Sequence, residues 1–396
     1  MDLFSELDFG LAQGRTTESE PIWQRSDGAD DTLARRCGRN DGLSEHCSDN
    51  AAYEIDPLTD SRWEALLRTN PRASVFHSAP WLEAVHRTYG YRPTVLTTSG
   101  PNQELSNGLV FCRVQSWLTG RRLVSFPFSD HCEPLATISR ELQVLLSGME
   151  ERVRLEGCSY AELRPAFALP ASQAHWRTAD GFYLHRLDLR PGAGAVFRDF
   201  HRACIQRRIR HAERSGITIQ EGRDPEILKE FYDLVVETRR RHGLLPQPIL
   251  WFRNVVKCLG ESAVIRCAYK EGQPIAAILT LQYGRTLYYK YGASVARLHR
   301  LGAMPYLLWQ AIQAAIEHGL EELDLGRSDC DSPGLVTFKE RWNAVRFRSS
   351  YLRSPVDGPP PKLSTTWIRR LLPTACKYAP SNCLAVLGGL SYRHFA

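Results

Sequence analysis

From residue 53 onward apolar residues recur at helix or strand spacing with few interruptions. Asp60 ahead of Trp63, Leu66 and Leu67, and Ser78 with Pro80 ahead of Trp81, Leu82 and Val85, predict two short helices. Each opens on a side chain able to accept from first-turn N–H groups. Gly90 closes the second. Residues 93–98, 108–114 and 122–128 predict strands, 140–155 a helix stopped by Gly157, and 160–163 and 184–189 two more strands before the Pro191-Gly192 break.

The pattern then runs through a similar order again. A helix is predicted over 196–215 and a strand over 217–220. Asp224-Pro225 opens a second helix through Ile227, Leu228, Phe231, Leu234 and Val235, which closes on Arg239, Arg240, Arg241 and His242. Cations in a last turn are what the helix dipole favours, so this cluster has a structural reason before any functional one. Strands over 263–269, 275–283 and 286–292 form an antiparallel meander. A helix over 303–318, a strand over 320–325, a short helix over 335–342 and a strand over 346–352 follow. This order resembles the GNAT acyltransferase fold, with a degenerate copy before it. The expectation is an α/β protein of two tandem GNAT-like domains, mixed sheets flanked by helices, over 53–190 and 191–355.

Composition changes the picture only at the ends. Residues 1–52 are rich in Asp, Ser, Gly and Arg without an apolar period, and are expected to be a disordered acidic leader. The net charge of +6 therefore understates how basic the rest is. That balance suits nucleotides, tRNA or acidic lipids, and equally serves solubility alone. The eleven cysteines are scattered without metal-ligand or redox spacing and are expected to be reduced; no metal is implied. The start of the chain lacks a signal-peptide pattern and no apolar run is long enough to span a bilayer, so a cytoplasmic protein is expected. The segment 356–396 carries Leu371, Leu372, Leu384, Leu387 and Leu390 beside Arg369 and Arg370. It is expected to dock as a helix on the protein, with peripheral membrane contact as the alternative.

The candidate chemistry falls in three places. Arg297, His299, Arg300 and Gly302 stand directly before the predicted 303–318 helix, where unpaired N–H groups and basic side chains suit a phosphate. Asp130 lies in Phe126-Pro127-Phe128-Ser129-Asp130-His131-Cys132, a polar cluster in an apolar context just past a strand; it is an acceptor-side carboxylate or an Asp-turn beside a core histidine. Asp324 alternates with Leu323 and Leu325 and so faces the other side of its strand, into a cleft or onto Arg327. Tyr288, Tyr289 and Tyr291 beside Lys290 line a groove or belong to the core. No Ser-His-Asp or Cys-His spacing is present, which favours direct attack over a covalent enzyme intermediate.

Asp324-Leu325-Gly326-Arg327-Ser328 followed by Thr337-Phe338-Lys339 resembles the C-terminal signature of the FemAB family. Arg207-Arg208-Ile209-Arg210-His211-Ala212-Glu213-Arg214-Ser215-Gly216-Ile217 is similar to another stretch of that family, with His211 where lysine is commoner, and Phe76-His77-Ser78 to Trp81 also fits. The resemblance spans about residues 53–352. It implies two fused GNAT-like domains and transfer of an acyl group from acyl-CoA (acetyl-CoA) or aminoacyl-tRNA to an amine of a cell-envelope, peptidoglycan or exopolysaccharide precursor, a small-molecule, sugar or peptide acceptor. It places Lys339 near the reacting carbonyl as an oxyanion-stabilising cation. Arg208, Arg210, Arg297, Arg300, Gly302, Arg327, Ser328 and Phe338 are the donor- and substrate-binding candidates, with Asp130 and Asp324 as carboxylates of the chemistry. A noncatalytic binding module descended from such a transferase is the alternative. DNA is not an expected partner, because the arginine clusters lack interleaved aromatic residues.

Overall fold

The computed structural model describes residues 51–354 and 376–395, apart from 118, 168 and 170–174. The expected leader up to residue 50 and the tail over 355–375 lie outside the described residues.

The strands are β1 (Tyr53–Ile55), β2 (Pro93–Thr97), β3 (Leu109–Ser116), β4 (Gly120–Val124), β5 (Ala161–Leu163), β6 (Arg177–Asp188), β7 (Thr218–Gly222), β8 (Ala263–Lys270), β9 (Gln273–Tyr283), β10 (Thr286–Ser294), β11 (Glu322–Asp329) and β12 (Val345–Ser354). Among the described residues they form one mixed sheet in the order β1-β2-β3-β4-β5-β12-β6-β11-β10-β9-β8-β7. The last strand in sequence thus sits at the centre. β12 runs antiparallel to β6 along most of its length and also pairs with β5 through Leu352, Arg353 and Ser354. β10 runs parallel to β11.

Helices cover both faces. α1 (Ser61–Thr69) is capped by Asp60, and α2 (Ala79–Tyr89) by Ser78, with Gly90 left-handed at its end. Their Trp63, Trp81 and Leu82 share one buried cluster with Phe231 of α6 (Pro225–Arg241) and Trp251 and Phe252 of α7 (Ile249–Leu259). Trp81 meets Trp251 edge-on with ring centroids 5.1 Å apart, so the early and late helices share one core. On the other face α5 (Arg207–Arg214), α8 (Ala303–Glu317) and α9 (Pro333–Glu340) enclose Phe200, Ile209, Leu307, Phe338 and Trp342. α3 (Ser139–Leu155) covers the early strands with Leu142, Leu145, Leu146 and Met149.

Strand β4 ends at Val124 rather than at 128, because Phe126 and Phe128 turn to positive φ, and β6 starts at Arg177 rather than at 184; the helices depart from expectation in two places. The helix expected over 196–215 is broken into α4 (Ala193–Asp199), a π-helical turn over Arg202–Gln206, and α5. The Gln206 amide donates to Arg198 O at 3.0 Å and Phe200 O at 2.8 Å, closing the end of α4, and Phe200 turns onto Trp309 and Trp342. α7 was not predicted. It opens on Pro248 with no side-chain cap, so the usual start signal is missing.

Candidate active site

β10 and β11 are paired only over Thr286–Tyr288 and Glu322–Asp324. Beyond that point both strands are irregular: β10 shifts register against β9 between Tyr289 and Tyr291, and β11 against β6 between Asp324 and Arg327. A bulge in each of two neighbouring strands bends them apart. Lys290 sits at one irregularity and Gly326, with φ +70°, at the other.

Asp130 fills this opening. A Cβ at Gly326 would lie 3.3 Å from Asp130 Oδ2, so glycine leaves room for the carboxylate as well as for the turn. Lys290 Nζ donates to Asp130 Oδ2 at 2.8 Å, and its ammonium stands 4.8 Å from the centroid of the Phe76 ring and 5.4 Å from that of Trp81. Tyr351 OH donates to Asp130 O at 3.1 Å and receives Arg327 Nη1 at 2.6 Å; the guanidinium also covers the Phe182 ring. The loop carrying Asp130 has Phe126 and Phe128 at φ +67° and +64°, a region bulky side chains rarely occupy. Such strain persists only where the surroundings enforce it. Here Phe128 is held against Tyr89 at 4.4 Å and against Tyr392 at 5.7 Å.

Asp324 lies beneath the opening and is 2% exposed. It does not pair with Arg327. His131 Nε2 is 3.2 Å from its Oδ2, Arg186 approaches at 3.9 Å, and Gly326 N–H donates to Oδ1 at 2.6 Å. Burial works against its charge, yet these three partners hold its pKa down at about 2. The core histidine expected beside Asp130 is buried, and its partner is the second carboxylate, Asp324.

Lys339 is also 2% exposed and donates to Gly326 O at 2.9 Å and Arg327 O at 2.8 Å, fastening α9 to the bulge. Beside it, His185 on β6 is wholly buried, with neither ring nitrogen hydrogen-bonded. Burial first, then the charges of Lys339 and Arg346, push its pKa down to about 3. Ser328 Oγ is likewise buried without a partner, and Phe338 packs in the core on Trp342; neither side chain reaches solvent as a surface contact.

The remaining candidates form a second group. Arg297 and Arg300 are exposed on the 3-10 turn Ala296–Leu301, and Gly302, φ +76°, starts α8 without a side-chain cap. The same glycine lets α5 approach: a Cβ there would meet Arg208 O at 2.5 Å. Arg210 instead folds back, its guanidinium over Phe197 and 3.5 Å from Gln206 Oε1. Arg241 donates to Ser294 O at 2.8 Å, while His299 Nε2 stands 2.9 Å from Ser294 Oγ. Burial and then the Arg241 and Arg208 charges lower the His299 pKa.

Sequence reasoning thus singled out Asp130, Asp324, Gly302 and Lys339 as candidates but not the neighbours that the structure gives them. The available signals were Lys290 among three tyrosines in an otherwise apolar strand, and His185-Arg186 inside a strand flanked by leucines. Each is a basic residue where a buried strand has no structural use for one.

With this geometry in place, residues 199–340 match the acetyltransferase (GNAT) domain family. Over 145 residues the chain is 26% identical to UDP-N-acetylmuramoylpentapeptide-lysine N(6)-alanyltransferase of Weissella viridescens; the match takes in 36% of this chain and 43% of that protein. In fold it is similar to the crystal structure of FemX, at TM-score 0.61 and 16% identity over 75% of this chain and 96% of that one. It is also similar to a tandem GNAT protein from the clavulanic acid biosynthesis pathway, at TM-score 0.50 and 12% identity over 77% and 98%. The architecture is that of tandem GNAT proteins. Within that class the chain is FemAB-like.

Proposed function

We propose that this protein is an N-acyltransferase or aminoacyltransferase that works in the cytoplasm and transfers an acyl group from aminoacyl-tRNA or acyl-CoA to an amine of a cell-envelope or polysaccharide precursor. The observation that carries the reading is the opening between β10 and β11, occupied by an Asp130 carboxylate that Lys290 holds at 2.8 Å. The opening of paired strands exposes main-chain groups to a donor, and Asp130 stands where an acceptor amine would approach. The similarity to an alanyltransferase supports aminoacyl-tRNA as the donor, and the match to the acetyltransferase domain supports acyl-CoA.

In this mechanism the acceptor nitrogen attacks the acyl carbonyl, and its proton passes to Asp130. The C–N bond forms as the C–O bond of an aminoacyl ester, or the C–S bond of a thioester, breaks, and the leaving oxygen or sulfur takes up a proton. The resemblance assigns Lys339 to the developing oxyanion. Its bonds to Gly326 O and Arg327 O give it a second duty, holding the bulge that keeps the strands apart. Arg297, Arg300 and the uncapped start of α8 suit the phosphates of the donor.

Thermal unfolding of the protein titrated separately with acetyl-CoA and with alanyl-tRNA tests the donor, because a ligand at about a hundred times its Kd adds about 2.7 kcal/mol of stability. Stabilisation by one and not the other identifies it. Stabilisation without any product on adding a peptidoglycan precursor would turn the reading into that of a binding module.

A further inference from the structure

The C-terminal segment carries a surface that acyl transfer does not use. α10 (Ser381–Ser391) packs one side onto the protein: Leu384 is buried, and Gly388 meets Pro246 O too closely for any side chain. The chain after it is fastened by Tyr91 OH donating to Arg393 O, by Ser116 Oγ 3.0 Å from His394 Nδ1, and by Trp117 Nε1 donating to His394 Nε2 at 3.2 Å. Its other side presents Cys383, Val386, Leu387 and Leu390 at the i, i+3, i+4, i+7 spacing of one helical stripe. Val386, Leu387 and Leu390 are 64%, 51% and 69% exposed. Tyr378 before the helix and Trp117 beside its end are exposed as well.

A helix on a water-facing surface ordinarily turns charged residues outward, but α10 contains none. In sequence, the cations stand before and after it. From Gly358 to Ala396 the sequence has no Asp or Glu, and it carries Lys362, Arg369, Arg370, Lys377 and Arg393; Lys377 and Arg393 are exposed in the structure.

We propose that this face binds the surface of an anionic lipid bilayer, with α10 lying in the interfacial plane. At 1.5 Å per residue the helix is on the order of 16 Å long, about half the hydrocarbon thickness, so it lies on the membrane rather than crossing it. The leucine and valine ridge enters the acyl boundary, the indole and phenol rings suit the headgroup level, and the acid-free flanks attract anionic headgroups. A second copy of the chain is a poor occupant, because like-charged flanks would face each other. RNA has no use for the apolar ridge. The inference is independent of the transferase reading.

Co-sedimentation of the full chain with vesicles tests it. The protein should pellet with phosphatidylglycerol–phosphatidylcholine vesicles and at least tenfold less with phosphatidylcholine alone. The variant Leu387→Glu/Leu390→Glu should lose at least tenfold of that binding with its melting temperature unchanged, and Lys377→Gln/Arg393→Gln should weaken it several-fold at low salt. If the double glutamate variant does not fold, Leu390→Ser alone gives the same reading with less disturbance. Failure of the wild type to bind anionic vesicles, or binding undiminished in folded ridge variants, overturns the proposal. So does a dimer in sedimentation velocity that the ridge variants abolish while vesicle binding is absent.

Discussion

Lys290 and Asp130, 160 positions apart in the chain, form an ion pair of 2.8 Å at the point where β10 leaves β11. The lysine is almost wholly buried against Phe76 and Trp81, whereas the carboxylate keeps partial access to solvent. That asymmetry suits a fixed cation orienting a working anion. Asp130→Asn should therefore lower kcat/KM by about a hundredfold or more, the range for a lost general base, with little change in melting temperature. Lys290→Met should lower it too, since the carboxylate loses its anchor. Both are read by steady-state transfer assays beside thermal melts, and full activity in Asp130→Asn would remove this carboxylate from the reaction.

Gly326 offers a sharper probe of the same opening. Alanine there must adopt φ +70° and place its methyl 3.3 Å from Asp130 Oδ2. The expected outcome is a loss of roughly 1–3 kcal/mol in stability from the strained backbone, together with a larger proportional loss of activity as Asp130 is displaced. Urea unfolding and kcat measured on the same preparation separate the two effects. A stable variant with normal turnover would show that the carboxylate's position is not critical.

Lys339 separates positioning from charge. Methionine keeps much of its length but removes both donors, leaving Gly326 O and Arg327 O without that partner in a buried setting. Lost buried hydrogen bonds of a charged donor cost about 1.5–3 kcal/mol each before relaxation, so Lys339→Met should unfold at distinctly lower urea. Lys339→Arg retains the charge with different geometry. If charge on the oxyanion is the principal role, the arginine variant should recover kcat more than stability; if the bulge is, both should stay low.

Acid should destabilise the fold in two stages. His77 is fully buried: Ser74 N–H donates to its Nδ1, which must therefore be unprotonated, and its Nε2 is 2.9 Å from Glu133 O. Burial first, then the nearby His131, lower its pKa to about 4, and that of His185 lies at about 3. Because both lie below the unfolded value of about 6.5, their contribution is full above that pH. It is lost as pH falls toward 4 and 3, when the unfolded chain takes up protons the native one cannot. Asp324, held at about 2, adds a further loss between about 4 and 2 by the same sign. Urea midpoints at pH 7, 5.5 and 4.5 should decline steadily, and NMR should show the His77 ring neutral at pH 5.5. A His77 ring that titrates near 6.5 would contradict the burial argument.

Much of the framework could be read from periodicity, because local rules govern it. Asp60, Ser78 and Asp224 cap the helices they were expected to cap, and the meander over β8, β9 and β10 follows its apolar pattern. The parts that were not legible depend on residues distant in sequence. Gln206 breaks a helix whose periodicity continues through it, because Phe200 has aromatic partners more than a hundred residues away. Asp324 faces away from its neighbouring leucines as alternation requires, but alternation could not choose His131 over Arg327 as its partner. Lys290 reads as one polar residue in a tyrosine-rich strand, and only the loop after β4, which brings Asp130 into the opening, shows what it holds.

The central place of β12 has a consequence for how the chain is made. β5 emerges from the ribosome early, and the strand that pairs with its Leu163, Glu162 and Ala161 is among the last described segments to be synthesised. At translation rates of about 5–20 residues per second, the unpaired edge of β5 waits on the order of ten to forty seconds for its neighbour. During that interval the nascent early strands present open main-chain donors and acceptors to any other extended peptide. Completion of β12 is therefore the step that removes a template for mispairing, and its delay makes the newborn chain a natural client for a chaperone that shields strand edges.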